Sequence, residues 1–173
     1  LIWRGKEACA HILNRYRALA EQKPQQRAVI VYDSMWGSTG IMASAIASGL
    51  EDEGVPVRII DIQKNHHSDV MTELADCGAV IVGSATHNNN VLPGIADVLT
   101  YMKGLRPQNR VAAAFGSYGW SGESAKIIQD WLASMNMELP ADPLKILFVP
   151  KHEGLTQCVA LGKAVAQALK AKC

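Results

Sequence analysis

Three short stretches of this chain concentrate residue types that recognise small ligands. The first is Asp33-Ser34-Met35-Trp36-Gly37-Ser38-Thr39. Its three hydroxyls and one glycine lead into Met42, Ile46 and Leu50, whose spacing predicts a helix over 38–53. Amide N–H groups at a helix start have no intrahelical partner, and the helix dipole adds to their attraction for an anion. Ser34 and Thr39 flank the turn, so both hydroxyls are placed to donate to a phosphate. The loop holds no Lys or Arg, and neither G-x-x-x-x-G-K-[ST] nor G-x-G-x-x-G occurs in the chain. Neutral donors suit a phosphate monoester or mononucleotide better than a triphosphate. Plain helix capping would also explain a Ser or Thr here. The second stretch, Ser84-Ala85-Thr86-His87-Asn88-Asn89-Asn90, offers amides and hydroxyls to the edge of a heterocycle, although Asn also favours turns. The third, Gly116-Ser117-Tyr118-Gly119-Trp120-Ser121-Gly122-Glu123, interleaves two aromatics with three glycines. Glycine lets backbone approach a ligand closely, and Tyr118 and Trp120 can flank a planar ring.

The rest of the pattern supplies a scaffold that brings these loops together. Strands are predicted over 28–33, 55–62, 78–84, 111–117 and 144–150, and helices over 38–53, 68–75, 93–103, 123–135 and 154–172. Runs such as AVIVYD and GAVIVGS are apolar throughout, which implies burial on both faces and hence a parallel sheet covered by helices. Pro56 and the charges around it suggest an edge position for the second strand. With right-handed crossovers the result is an α/β doubly wound five-stranded sheet of order 2-1-3-4-5. Ligands bind such sheets beyond the carboxyl ends of the strands, at the switch between strands 1 and 3. All three loops lie at those ends. One phosphate, a polar chain, a pyrimidine edge and a flat tricycle match what they offer, which is the shape of flavin mononucleotide (FMN).

Residues 1–26 stand apart. They carry five basic and two acidic residues, leaving 12 basic and 14 acidic in 27–173. Cys9, Ile12, Leu13, Tyr16, Leu19 and Ala20 recur at helical spacing, and Lys23-Pro24 ends the helix. Either the helix packs on the domain, or it descends as a linker from a domain upstream; the second reading is preferred. Leu1 in place of an initiating Met fits a piece of a longer protein.

The full chain has 173 residues and a formal net charge of +1. That balance argues against a nucleic-acid binder, and no run of residues is apolar and long enough to span a bilayer. Cys9, Cys77, Cys158 and Cys173 are scattered without a C-x-x-C pair, so free thiols in a reducing, cytoplasmic setting are expected. No signal peptide is apparent, and no metal site is expected within the chain.

Four motifs carry a resemblance. YDSMWGST (Tyr32–Thr39), SATHNN (Ser84–Asn89), YMKGLRP (Tyr101–Pro107) and FGSYGWSGE (Phe115–Glu123) resemble the C-terminal flavodoxin-like domain of the flavodiiron proteins, or A-type flavoproteins. LIWR (Leu1–Arg4) is similar to the exit from their metallo-β-lactamase-like domain. The resemblance implies a flavodoxin-like domain over 27–173 and, over 1–26, a linker helix from the missing diiron domain. It implies non-covalent FMN that passes electrons to a diiron centre, which reduces oxygen or nitric oxide across a head-to-tail homodimer. Rubredoxin or a similar protein would be the donor. The sequence has no H-x-[HE]-x-D-H cluster, so catalysis by the chain alone is not expected, and no catalytic residue is assigned. By motif, Ser34, Met35, Trp36, Gly37, Ser38 and Thr39 would surround the phosphate. Thr86, His87, Asn88 and Asn89 would meet the ribityl chain or ring edge, and Ser117, Tyr118, Gly119 and Trp120 would wall the ring. Ala85 and Asn90 depart from the proline and glycine common in the family.

Three rival readings share the fold. A stand-alone flavodoxin shuttle is usually strongly acidic, unlike this domain. An FMN-dependent NAD(P)H:quinone reductase needs a nicotinamide site, for which no motif is found. A phospho-accepting receiver needs an aspartate after strand 3, where Ser84 and Thr86 stand.

Overall fold

The computed structural model describes residues 2–173. In chain order it forms α1 (Lys6–Ala20), β1 (Gln25–Asp33), α2 (Ser38–Asp52), β2 (Val57–Asp61), α3 (His67–Leu74) and β3 (Cys77–Ser84). There follow α4 (Pro93–Leu105), β4 (Val111–Tyr118), α5 (Ser124–Ser134), β5 (Leu144–Leu147) and α6 (His152–Lys172). The five strands make one parallel sheet in the order β2-β1-β3-β4-β5, as the sequence predicts. β2 lies at an edge. It begins only after Pro56, which has no N–H to give a ladder, although the Pro56 carbonyl still accepts from Ala28 N–H at 2.9 Å. β5 stops at Leu147, three residues short of its predicted end, because Phe148 turns to φ 59 and takes the chain out of the sheet.

Alternation along β1 divides the core between the two faces. Ala28 and Ile30 pack with Met42, Ile46 and Leu50 of α2 and Val165 and Leu169 of α6. Val29 and Val31 pack with Val70, Leu74, Ile95, Leu99 and Ile128 of α3, α4 and α5. All eight residues of β3 are buried, as its continuous apolar run requires. α2 and α6 meet backbone to backbone: a Cβ on Gly49 would lie 2.2 Å from the Val159 carbonyl oxygen, and one on Gly162 would lie 2.2 Å from that of Ile46.

α1 differs from its expected form. The six apolar residues do not share one face. Ile12 and Leu19 lean on the domain, while Cys9, Leu13, Tyr16 and Ala20 face solvent. No residue of α1 is buried. Arg15 pairs with Asp76, and Leu19 borders a shallow hollow beside Met71, Leu74 and Arg110. The other end of the sheet, where β1, β3 and β4 finish, carries the three loops of interest.

Candidate functional site

The loop between β1 and α2 is built around Gly37, whose φ of 85° is one that L side chains rarely adopt. The Gly37 N–H donates to Ser34 Oγ at 3.0 Å, closing the loop on itself. Gly37 is also the N-cap of α2, and no N-cap side chain bonds the first turn of that helix. The Ser34 hydroxyl therefore has a local structural role as the acceptor of the N-cap residue's N–H, whereas Ser38 and Thr39 do not cap the helix. Thr39 is fully buried, with Oγ1 2.9 Å from Ser117 Oγ. Either hydroxyl can be the donor in this contact. The contact also joins the first loop to the third.

In the second loop Asn88 (φ 49) and Asn89 (φ 56) form the two central residues of a tight reverse turn. His87 and Asn90 exchange both N–H···O bonds at 2.9 Å. Asn tolerates this conformation, so the pair has a conformational role alongside any contact with a ligand. Thr86 anchors the loop: its N–H donates to the Ser117 carbonyl at 2.9 Å, and its Oγ1 donates to Ser124 Oγ at 2.9 Å. Ser124 Oγ donates in turn to the Ser84 carbonyl at 3.0 Å. Sequence reasoning missed Ser124, whose only signal is a small polar residue at the start of α5.

The loops enclose a cavity of about 560 Å³, within the range of small-molecule sites. Met35, Trp36 and Ser38 line it from the first loop, and Ala85, Thr86, His87 and Asn88 from the second. Ser117, Tyr118, Gly119 and Trp120 close the third side. Phe148 and Val149 form a fourth wall that the sequence did not reveal, because LKILFVP reads as one strand. Of the residues expected at the site, Ser34 and Gly37 face an adjoining cavity of about 440 Å³ instead, and Thr39 and Asn89 line neither. Lys64 borders that second cavity, but its ammonium sits 3.1 Å from Asp61 Oδ2, a bond that holds the lysine above its usual range. The lining of the main cavity carries no Lys, Arg, Asp or Glu.

Trp36 is 89% exposed and Trp120 82% exposed. Phe148, 63% exposed, holds its positive φ with its N–H bonded to the Tyr118 carbonyl at 2.8 Å. Aromatic rings left this open around a concave site do nothing for the core, and they mark a surface made for a flat ligand. Among the described residues, no group of three or more His, Cys, Asp or Glu is placed to hold a metal.

A family model described as flavodoxin matches residues 30–162. The chain belongs to the flavodoxin family. It is similar to the rubredoxin-oxygen oxidoreductase of Megalodesulfovibrio gigas, at 48% identity over 99% of this chain and 43% of that protein. The solved structure of the rubredoxin oxygen:oxidoreductase from Desulfovibrio gigas superposes with a TM-score of 0.95, covering 98% of this chain and 42% of that one. A nitric oxide reductase of Moorella thermoacetica is 40% identical over 96% of this chain and 41% of its own length. A flavodoxin from the domain Archaea is 34% identical with a TM-score of 0.77, over 83% of this chain and 99% of that one. The chain thus spans less than half the length of the curated relatives it matches. Those longer relatives are flavodiiron proteins, and the chain corresponds to their flavodoxin-like part.

Membership of this family implies FMN as the cofactor, and the residues present fit it. The α2 start and its neutral hydroxyls suit one phosphate, the cavity suits one tricycle, and Trp36, Tyr118 and Trp120 suit its faces.

Proposed function

We propose that this chain is the FMN-binding electron-transfer domain of a flavodiiron oxygen or nitric oxide reductase. The observation that carries the reading is the pair of open tryptophans flanking a cavity without Lys, Arg, Asp or Glu, next to the start of α2. Bound FMN supplies a carrier that accepts and releases single electrons. The α2 amides with Ser34 and Ser38 would hold its phosphate, Gly37 shapes their cradle, and the buried Thr39 would brace it against Ser117. Met35 and Trp36 would cover the phosphate side of the ring. Thr86, His87, Asn88 and Asn89 would present neutral donors and acceptors to the ribityl chain and ring edge. Ser117, Tyr118, Gly119, Trp120 and Phe148 would exclude water from the ring. No proton donor or nucleophile is required of the chain.

Residues 1–26 serve as a linker from an upstream metallo-β-lactamase-like domain that holds two irons. Two observations support this. α1 buries no residue on the domain. The archaeal flavodoxin accounts for 83% of the chain, whereas the longer oxidoreductase accounts for 98%. That difference also favours this reading over a stand-alone shuttle. Turnover of oxygen or nitric oxide then needs the iron domain, reached across a head-to-tail homodimer. Rubredoxin or a similar small protein is the donor. Among the described residues, no helix is long and apolar enough to cross a membrane, and four free cysteines favour the cytoplasm.

The test is rapid mixing of the FMN-loaded domain with reduced rubredoxin under nitrogen. The reading expects the visible flavin bands to bleach as rubredoxin is reoxidised. Flavin bands that stay unchanged in the presence of reduced rubredoxin would remove rubredoxin as donor.

A further inference from the structure

A residue from a different loop, lining the same cavity of about 440 Å³ as Ser34 and Gly37, grips the first loop. Gln63 lies between β2 and α3, and its side-chain Nε2 donates to Asp33 Oδ1 at 2.7 Å and to the Ser34 carbonyl oxygen at 2.8 Å. Its backbone N–H donates to Asp61 Oδ1 at 3.1 Å, so a local turn fixes the base from which the side chain reaches. Both amide hydrogens are used. Asp33 is 6% exposed, and a carboxylate that buried needs a donor. Gln63 supplies one without adding a charge.

The consequence follows from peptide geometry. In a trans peptide the carbonyl of one residue and the N–H of the next point in opposite directions. Gln63 holds the Ser34 carbonyl towards itself, so the Met35 N–H points away from Gln63, and the Ser34–Met35 peptide is fixed next to the turn that the Gly37 N–H closes on Ser34 Oγ. We infer that Gln63 is a positioning residue for the anion cradle, one that sets how strongly the site prefers a phosphorylated flavin to the same flavin without phosphate. The inference rests on the FMN reading. Gln63 need not touch the phosphate; it acts by fixing the Ser34–Met35 peptide and by engaging the buried Asp33 carboxylate beside an anion site.

The test titrates the apo-protein with FMN and, separately, with riboflavin, following quenching of flavin and tryptophan fluorescence. Wild type is compared with Gln63→Met, which keeps length without the amide, and with Gln63→Glu, which places a second carboxylate against Asp33. Gln63→Met should weaken FMN about tenfold, the scale of one hydrogen bond to a charged group, and leave riboflavin within about twofold. Gln63→Glu should weaken FMN further and again spare riboflavin. Equal losses for both flavins, or no loss for FMN, would overturn the inference. Wild type that takes up neither flavin would overturn the FMN reading itself. Both variants take a donor from the buried Asp33, so the apo-protein should melt a few degrees lower in each; the ratio of FMN to riboflavin affinity, which a loss of stability alone would leave unchanged, is the deciding readout. If Gln63→Glu does not fold, the FMN to riboflavin ratio of Gln63→Met decides.

Discussion

Phe148 states the site's economics at the scale of one residue. It keeps a left-handed backbone that costs an L residue about 1–2 kcal/mol, yet it leaves most of its ring in solvent. A side chain with little burial to offset that strain is explained by the ligand it walls. Phe148→Gly should therefore hold or raise apo-protein stability, by about 0.5 kcal/mol once the entropy of glycine is set against the strain relieved. The same change should weaken FMN binding. Chemical denaturation beside an FMN titration checks both halves, and a less stable variant with intact binding would contradict the assignment. The sequence made Tyr118 and Trp120 visible because aromatics among glycines past a strand end have no obvious core to enter, whereas Trp36 entered only through the family motif, as a residue around the phosphate. It hid Phe148 and Val149, since nothing local marks where β5 leaves the sheet. For Asn88 and Asn89 the sequence left a ligand contact and a turn both open, because Asn favours both roles, and the structure shows the turn.

At the scale of elements, continuous apolar runs fixed β1, β3 and β4, and their parallel order followed from the alternation with helices. α1 was legible as a helix but not as a poorly packed one. Spacing of 3.6 residues collects Cys9, Leu13 and Tyr16 into one stripe and Ile12 and Leu19 into its neighbour, and only packing tells which stripe meets the domain. Deleting residues 1–20 should leave FMN affinity within about twofold, the usual effect of changing surface far from a site. It should also preserve the cooperative melt, because α1 contributes no buried residue. Calorimetry of the shortened chain with and without FMN checks this, and loss of flavin binding would contradict a linker role.

For the whole molecule, two buried thiols on opposite faces of the sheet contribute to its loss of stability in base. Burial pushes Cys77 and Cys158 up to about 11 from an ordinary value of 9.0. The folded state favours the neutral thiol, so this contribution is complete below about pH 9 and is lost as pH rises through about 11. Denaturant midpoints should fall across that window, and a Cys77→Ala, Cys158→Ala double variant should show a shallower fall. An equal slope in both proteins would contradict it. The central claim, that the three loop ends form one FMN site, is tested most directly by titrating the purified apo-chain with FMN and reading the visible spectrum of the protein after free flavin is removed. One retained FMN per chain, released on denaturation and not replaced by inorganic phosphate, is the expected result. A protein that remains colourless at saturating FMN would contradict the account.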